Sequence, residues 1–514
     1  MAFILKKDEI GHEYLKIERV LIKKRIKSIH IILVVFLVIS NISGQSEVQK
    51  VTSTVTKNRV KAHLTFIASD ELKGRDVGSD GIGTAAMYIK TQLMSYGVST
   101  SPNMESYFQN VTLVTLDPPS DGTILIGDLK MTFPDDFVVL GGTDIDAELT
   151  SVFADFKNKK SISIKKVKDK IVVAICGDGT TQSVQGWFYQ SKERIEKLKK
   201  AGAKGLIELY QSNKVPFKFL KQQFNRTQTS LSSDETDDFL HLWVNASTPE
   251  KVAPLKEKST LNLDIKVPDY NSVMSKNVVG YVEGNDPLLK NEYIVYSAHY
   301  DHIGIGKPNA EMDSIYNGAR DNAVGVTAIL ELARNIAKYP TKRSALFVFF
   351  TAEEKGLLGS KYFVDHAPVP LENIVYNFNI DNGGYNDTTI VSVIGLERTT
   401  AESDIQDACK AFGLQGIEDP AKEQGLFDRS DNVNFAKKGI PAPTFSLGFR
   451  SFDAEIFKYY HQAGDEVNTL NLNYLLKYFR AYTLASRNIA NAQESPFWVK
   501  NDKYYKAGKK RYKK

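Results

Sequence analysis

Short apolar runs alternate with longer segments of helical character in the last part of the chain, from Asn271 to about Gln493. The helices predicted between the runs are chiefly Asn322–Lys338 and Thr400–Phe412. This alternation predicts an α/β fold with a mostly parallel central sheet flanked by helices. The predicted strands are Tyr293–Ser297, Ala345–Phe350, Ile374–Ile380 and Ala442–Ser446.

Polar residues follow three of these predicted strands at the point where each strand ends. His299 and Asp301 follow the first strand, Glu353 and Glu354 follow the second, and Asp381 ends the third. Ligand sites in open α/β sheets form beyond the carboxyl ends of the strands. Three strand ends therefore bring carboxylates and an imidazole to one edge of the sheet, which indicates a site more strongly than any one residue does.

The first of these residues have an ordinary interpretation as well as a chemical one. His299 and Asp301 point to the same side of an extended chain, so Asp301 could hold one imidazole nitrogen and leave the other for a metal ion. A surface histidine beside an aspartate is the commoner arrangement. Asp321 would make a good N-cap for the helix that follows it, although a carboxylate bridging two cations also suits the small, flexible run Asn317–Asn322.

The adjacent acids Glu353 and Glu354 give the most telling pattern. Both could lie in the first turn of a helix, where the helix dipole favours acids. Alternatively, Glu354 binds a metal ion and Glu353 takes a proton from the water on that ion. Asp381 fits an ordinary turn equally well. His461 follows aromatic residues, where a core or surface histidine is commoner than a ligand, and Asp465 either orients it or caps the next helix.

The chain has only two cysteines, Cys176 and Cys409, and they lie far apart in the sequence. A thiolate metal site is therefore not expected, and any metal ion must be held by His, Asp and Glu. Such an oxygen and nitrogen ligand set fits catalytic zinc, while manganese or cobalt would also accept it.

The N-terminal residues 1–45 are predicted to be an export signal. A positive cluster, Lys23–Lys27, precedes the apolar run Ile31–Ile39, and small and polar residues follow it. The run is short of the roughly 20 residues that a spanning helix needs. We therefore expect a secreted or periplasmic protein with no stable membrane span after cleavage, and an uncleaved signal anchor is the alternative.

The other parts of the chain show no chemistry of their own. Residues 117–269 contain strand-like runs between Gly, Asp and Pro turns, one helix from Ser191 to Ala201, and a polar stretch, Arg226–Asp238, predicted as a loop. The basic tail, residues 494–514, is expected to be a solvated, frayed terminus. The net charge is only +5 and lies largely near the ends of the chain, so nucleic-acid binding is not expected.

Taken together, the motifs resemble the M28 metallopeptidases, a family that includes di-zinc aminopeptidases and glutamate carboxypeptidases. The resemblance implies a discontinuous zinc peptidase domain, residues 55–116 and 271–493, with an inserted, β-rich protease-associated domain, residues 117–269. One departure is Asn432, where many members have histidine. The matching segments are Glu71–Arg75, Ala298–His302, Gly318–Asn322, Thr351–Ser360, Asn379–Asp381, Arg429–Asp431 and Tyr460–His461.

The resemblance also implies a role for each matching residue. His299 and Asp381 would hold one zinc ion, Glu354 and His461 would hold a second, and Asp321 would bridge the two. Glu353 would be the general base. Tyr460 would stabilise the oxyanion, and Arg429 would contact the substrate. The orienting role of Asp301 follows from its spacing to His299.

The implied activity is that of an exopeptidase acting on peptides, foremost an aminopeptidase. A glutamate-type carboxypeptidase is a close alternative. A glutaminyl cyclase on the same scaffold would use one zinc ion and lacks the inserted domain. A non-catalytic binding module is disfavoured because all the implied ligands and the base are present.

Overall fold

The computed structural model describes residues 45–156, 164–177, 184–212, 215–232, 239–247, 249–267 and 271–513. The predicted export signal lies outside the described residues except for Gln45. The chain divides into two units between Thr54 and Val55. The described part of the first unit is helix α1 (Glu47–Thr52), which begins with a reciprocal pair of hydrogen bonds between Ser46 and Gln49.

Within the described residues, the larger unit contains a nine-stranded sheet and an eight-stranded sheet. The strands are β1 (Phe108–Leu116), β2 (Asp121–Ile126), β3 (Leu129–Thr132), β4 (Phe137–Gly141), β5 (Ile145–Ala154), β6 (Ile171–Ile175), β7 (Gly205–Tyr210), β8 (Gln228–Leu231), β9 (Leu240–Asn245), β10 (Thr260–Lys266), β11 (Asn271–Val282), β12 (Tyr293–His299), β13 (Ser344–Phe350), β14 (Ile374–Ile380), β15 (Ile390–Ile394), β16 (Gln415–Glu418) and β17 (Thr444–Leu447).

Helices separate most of these strands along the chain. They are α2 (Lys57–Ile67), α3 (Asp80–Ser95), α4 (Ile164–Val167), α5 (Val184–Lys200), α6 (Phe217–Phe224), α7 (Pro249–Lys256), α8 (Val324–Lys338), α9 (Leu358–Asp365), α10 (Glu402–Ala411), α11 (Asn432–Lys437), α12 (Ala454–Phe457), α13 (Leu472–Asn491) and α14 (Tyr505–Tyr512). Short 3₁₀ turns include Asp70–Arg75. None of the helices in the described ranges is long and apolar enough to cross a membrane.

The larger sheet has the order β16-β15-β17-β14-β12-β13-β11-β1-β8. Its central strands β17, β14, β12 and β13 are parallel, and antiparallel strands flank them. Every residue of β13 and β14 is buried, as expected of parallel strands that are covered on both faces. The predicted α/β fold with a largely parallel central sheet is confirmed.

The second sheet has the order β3-β2-β10-β5-β6-β7-β9-β4. The chain leaves the larger sheet after β1 and, apart from the edge strand β8, returns to it at β11, and β1 and β11 pair with each other, Thr115 opposite Asn271. The second sheet is therefore built from an excursion between two neighbouring strands, as an inserted β-rich domain requires. The residue limits of the domains stay predictions.

The stretch Arg226–Asp238 was predicted as a loop, and this prediction is wrong for Gln228–Leu231. These residues form β8, which pairs with β1 at the edge of the larger sheet. Leu231 is buried there among apolar residues that include Ala352, next to Glu353. The stretch is too polar and too short for its pairing to be read from the sequence.

The prediction that residues 494–514 form a frayed, solvated tail is also wrong for the described residues. Trp498 is buried and donates its indole N–H to the Gly439 carbonyl at 3.0 Å. Helix α14 follows, and the Tyr512 hydroxyl donates to the carbonyl of Ile374 at 2.6 Å. The aromatic residues fix the tail to the domain that contains the larger sheet, while Lys509 and Lys510 face solvent.

Candidate metal centre

Three neighbouring parallel strands bring the predicted site residues to one edge of the larger sheet. His299 ends β12 and lies opposite Phe350 at the end of β13, which Glu353 and Glu354 follow. On the other side, Ala298 pairs with Ile380, the residue before Asp381. The convergence of strand ends is therefore a direct result of the parallel register.

Among the described residues, two groups of side chains could each hold a metal ion, and Asp321 belongs to both. The first group is His299, Asp321 and Asp381. The second is His302, Asp321, Glu354 and His461. Within each group the ligand atoms lie within 4.8 Å of one another.

Asp321 faces the two groups with different oxygens. Its Oδ1 lies 3.2 Å from Nε2 of His299, and its Oδ2 lies 3.1 Å from Nε2 of His461. Asp381 and Glu354 complete the arrangement, each with a carboxylate oxygen 3.3 Å from the imidazole of its own group. A carboxylate placed between two imidazole–carboxylate pairs has the geometry of a bridging ligand.

The segment before helix α8 places Asp321 in this position. Asp321 has non-helical backbone angles, and the helix begins three residues later at Val324. The N-cap interpretation of Asp321 is therefore wrong. Asp465 holds the segment: its Oδ2 accepts the backbone N–H of Arg320 at 2.8 Å and that of Asp321 at 3.3 Å.

Asp465 thus has neither of the roles considered from the sequence. Its Oδ1 forms an ion pair with the Arg320 guanidinium at 2.8 Å, and its carbonyl accepts the N–H of Ala319. The helix after it, α13, is capped by Asn471 instead. Asp465 therefore ties the segment of Asp321 to the segment that carries His461.

Asp301 fixes both His299 and the two glutamates. Nδ1 of His299 lies 3.1 Å from the backbone carbonyl of Asp301 but 3.8 Å from its carboxylate. The carboxylate instead accepts the backbone N–H of Glu353 at 3.1 Å and of Glu354 at 3.2 Å. The backbone of Asp301 orients the imidazole, and its side chain orients the glutamates.

Glu353 and Glu354 lie in a tight turn ahead of helix α9, which begins at Leu358. The interpretation that both acids occupy the first turn of a helix is therefore wrong. The carbonyl of Glu353 accepts the N–H groups of Gly356 and Leu357 at 2.9 Å, which closes the turn. The turn directs the two adjacent acids into the same cavity.

The pKa values of the carboxyl groups in the site differ because their partners differ. Burial raises the pKa of Glu353 well above its usual value, and the nearby Asp381 and Glu354 add to this effect. Burial and Asp321 also act to raise the pKa of Glu354, but hydrogen bonds from His302 and His461 outweigh them and lower it to about 2. Burial raises the pKa of Asp301 to about 6.

The same excess of carboxylates raises the pKa values of the imidazoles. Burial alone would lower the pKa of His461, but Asp321 and Glu354 raise it to about 10. Glu353 and Asp381 likewise outweigh burial and raise the pKa of His299. A buried centre this rich in carboxylates is suited to cations, and its imidazole and carboxylate donors match those of catalytic zinc.

A cavity of about 110 Å³ opens beside this centre. Tyr460 lies on one wall with its ring stacked on His461, the ring centroids being 4.2 Å apart. Arg429 also lines the cavity and is exposed to solvent. The apolar wall of the cavity consists of side chains from one packed cluster, Ile394, Leu426, Phe449, Phe452 and Ile456.

The structure brings all the predicted site residues to this region and adds His302, which sequence reasoning did not assign. His302 is buried, and its Nδ1 lies 2.8 Å from Oε1 of Glu354. Its position within the matching segment Ala298–His302 was the available signal. Sequence spacing alone did not indicate that His302 would reach the metal group of Glu354 and His461 rather than that of His299.

Comparisons with known proteins agree with this geometry. Residues 277–484 match the model of peptidase family M28. Aminopeptidase YwaD of Bacillus subtilis is 28% identical over 269 residues, 51% of this chain and 53% of the relative. A probable leucine aminopeptidase 2 of Aspergillus oryzae is 25% identical over 276 residues, 47% of this chain and 50% of the relative. The chain thus spans about half the length of these relatives.

The solved structure of an aminopeptidase from Aneurinibacillus sp. strain AM-1 has a similar fold. It superposes with a TM-score of 0.56 at 20% sequence identity, covering 87% of this chain and 97% of that one. At this identity the likeness concerns the fold alone.

Proposed function

We propose, from the premise that residues 277–484 belong to peptidase family M28, that this chain is a zinc-dependent aminopeptidase acting on peptides with an apolar N-terminal residue. One observation carries the proposal: Glu353 and carboxylates from both metal groups, which share Asp321, line a single cavity that also has an apolar wall. The relatives named as aminopeptidases support the same reaction class.

The proposal includes two zinc ions, because two groups of donors share Asp321. His299 and Asp381 would hold one ion, Glu354 and His461 the other, and Asp321 would bridge them. When bound, the two zinc ions would polarise the scissile carbonyl as Lewis acids and lower the pKa of the water bound to them.

The chain's own residues carry the remaining steps. Glu353 takes a proton from the attacking water and returns it to the leaving amine. The Tyr460 hydroxyl, at the cavity wall beside His461, donates a hydrogen bond to the oxyanion. Asp301 keeps Glu353 in place because its carboxylate accepts the backbone N–H of Glu353.

The size of the cavity supports an aliphatic side chain in the apolar part. An engineered cavity of about 150 Å³ lined by Leu, Ile and Phe accommodates benzene. The present cavity, at about 110 Å³, is smaller, and only part of its lining is apolar. Leucine, valine, isoleucine and methionine fit it better than phenylalanine or tryptophan.

A second candidate, a glutamate-type carboxypeptidase, is favoured by one observation. Arg429 lines the cavity with its side chain exposed, and among the described residues it has no ion-pair partner. A free guanidinium at this place could receive a substrate carboxylate in bidentate fashion. The apolar wall argues for the aminopeptidase, because it offers the terminal carboxylate no further partner.

The test is a substrate panel together with zinc analysis of the purified protein. Leucyl, phenylalanyl, lysyl and glutamyl anilides are compared with N-acetyl-leucyl anilide and N-acetylated dipeptides ending in glutamate. We expect about two zinc ions per chain and cleavage of leucyl anilide that requires its free amine. Cleavage of the acetylated dipeptides, with the free-amine anilides untouched, would establish the carboxypeptidase instead.

We also propose that the protein is exported, since a basic cluster, an apolar run and small residues follow one another in residues 23–45. The full-length gene is expressed with a C-terminal tag, and the N-terminus of the product is sequenced from each compartment. Cleavage near residue 45 outside the cytoplasm is expected. A cytoplasmic product that begins at Met1 would contradict export.

A further inference from the structure

Arg75 is a charged residue whose side chain is completely buried behind the metal centre. It belongs to the segment Glu71–Arg75, which the proposed mechanism does not use. Its guanidinium donates to four backbone carbonyls: Nε to Tyr300 at 2.9 Å, Nη1 to Ile67 at 2.5 Å and Asn317 at 2.7 Å, and Nη2 to Gly318 at 3.3 Å. Carbonyl oxygens, rather than a directly bonded carboxylate, therefore hold this cation among the described residues.

Three of these carbonyls belong to the two chain segments that supply metal ligands. Tyr300 lies between His299 and Asp301, while Asn317 and Gly318 lead into Asp321. One guanidinium thus connects the end of β12 to the segment of the bridging carboxylate. Because the fork of an arginine is planar and rigid, it fixes the relative position of the groups that it joins.

The backbone of the same turn adds two further links. The carbonyl of Arg75 accepts the N–H of His302 at 3.3 Å, and the carbonyl of Gly74 accepts the N–H of Gly304 at 3.1 Å. The turn therefore contacts the loop that carries His302 through both its backbone and its side chain.

The conformation of the turn is demanding. Lys73, Gly74 and Arg75 have successive φ values of 48°, 67° and 53°, and non-glycine residues rarely occupy this region. A Cβ atom on Gly74 would lie 2.4 Å from the carbonyl oxygen of Gly304, so no side chain fits there. Strained backbone of this kind persists where the surroundings hold it and is concentrated at functional sites.

We propose that Arg75 is a positioning residue for the metal pair, holding the His299–His302 and Asn317–Asp321 segments at the separation that two ions require. This inference rests on the metal centre of the proposed function. The positive charge of Arg75 lies near Asp301, Asp321 and Glu354, so by charge alone it opposes cation binding. Loss of the charge would raise zinc affinity, whereas loss of the links would lower it.

The opposite signs allow a zinc titration to separate the two effects. Zinc dissociation constants are measured by chelator competition on the wild type, Arg75→Lys and Arg75→Met, with circular dichroism to confirm the fold. We expect Arg75→Met to lose about 10–100-fold in affinity, as is typical when a partner that orients metal ligands is removed. Arg75→Lys keeps the charge but not the fork, and an intermediate loss is expected.

Arg343→Met is the matched control. Arg343 is equally buried and also donates to backbone carbonyls, those of Ala492 and Gln493, but it pairs with Glu292 at the opposite end of β13 from the metal centre. We expect this variant to lower the Tm and leave the zinc dissociation constants unchanged.

The inference is overturned if folded Arg75→Met binds zinc as tightly as the wild type or more tightly. If Arg75→Met does not fold, Arg75→Lys decides, and wild-type affinity in that variant overturns it equally. A wild-type protein that binds no zinc would instead remove the proposed function, and this inference would fall with it.

Discussion

Nδ1 of His302 lies 2.8 Å from Oε1 of Glu354. An ionised carboxylate can only accept a hydrogen bond, so Nδ1 of His302 carries the proton. His302 therefore directs one oxygen of Glu354 while the other, Oε2, lies 3.3 Å from the imidazole of His461. The position of this carboxylate depends on a histidine outside the ligand set that the family resemblance implies.

Replacement of His302 should weaken the metal group that contains His461. His302→Phe leaves Oε1 of Glu354 without its donor inside a buried site, and we expect zinc affinity to fall by about 10–100-fold at one of the two ions. His302→Gln retains an N–H donor and should lose less. A zinc titration that resolves the two binding steps checks this prediction. An equal loss of affinity at both steps would argue against the idea that His302 acts specifically through Glu354.

Glu353→Gln should separate chemistry from metal binding. Glu353 faces the cavity but belongs to neither metal group. The variant should retain about two zinc ions per chain and lose turnover by at least the 10²–10⁴-fold typical of a general base. Steady-state kinetics on leucyl anilide and elemental analysis of the same sample provide the measurement. Normal turnover in the variant would show that another group accepts the proton.

The sequence was sufficient to predict the strand ends because local patterns determine them. The runs that became β12, β13 and β14 are largely apolar, and strongly polar residues come within a few positions of their ends. Parallel pairing then places His299, Glu353 and Asp381 side by side without further information.

The contacts that hold the site in place could not be predicted in the same way. Asp465 and Arg320 are separated by 145 positions, and Arg75 reaches Gly318 across 243. Asp465 has an ordinary local interpretation as a helix cap, and nothing in the local sequence indicates the partners of Arg320 or Arg75. Asp321 was open to the same error, since an aspartate before an apolar helix usually caps it.

Enlarging the cavity at its apolar wall should change the preference for the N-terminal side chain of the substrate. Phe452 lines the cavity and is only partly buried, so Phe452→Ala removes volume with limited cost to the fold. We expect the ratio of kcat/KM for phenylalanyl over leucyl anilide to rise about 10-fold, in the range typical of hydrophobic pocket changes. Phe457, which is 57% exposed and does not line the cavity, provides the control Phe457→Ala. An equal change in both variants would exclude a pocket effect.

The second sheet contains a buried carboxylate whose contribution to stability should depend on pH. Glu208 has a fully buried side chain, forms an ion pair with Arg194 at 2.5 Å, and accepts from the indole N–H of Trp243 at 2.9 Å. Burial alone would raise the pKa of Glu208, but His241, Ser191 and Arg194 together outweigh it and lower the pKa below its usual 4.5. The folded protein therefore favours the ionised form.

The sign of the pH effect follows from this lowered pKa. The stabilisation is fully present above pH 4.5, the usual pKa of the group, and is lost as the pH falls through the lower pKa of the folded state. Glu208→Gln breaks the buried pair at every pH, which typically costs about 3–5 kcal/mol in the free energy of unfolding. The Tm difference between wild type and variant should be largest near neutral pH and should narrow below pH 4.5.

Thermal unfolding of both proteins across the acid range measures this difference. Zinc release at low pH affects the two proteins alike, so it cancels in the comparison. Glu193→Gln, on the exposed face of α5, removes a neighbouring carboxylate that has no buried partner in the part of the chain that the structure describes, and it should leave the Tm nearly unchanged. A Tm difference for Glu208→Gln that stayed constant from neutral pH to well below pH 4.5 would mean that the network stabilises the sheet by packing and not by charge.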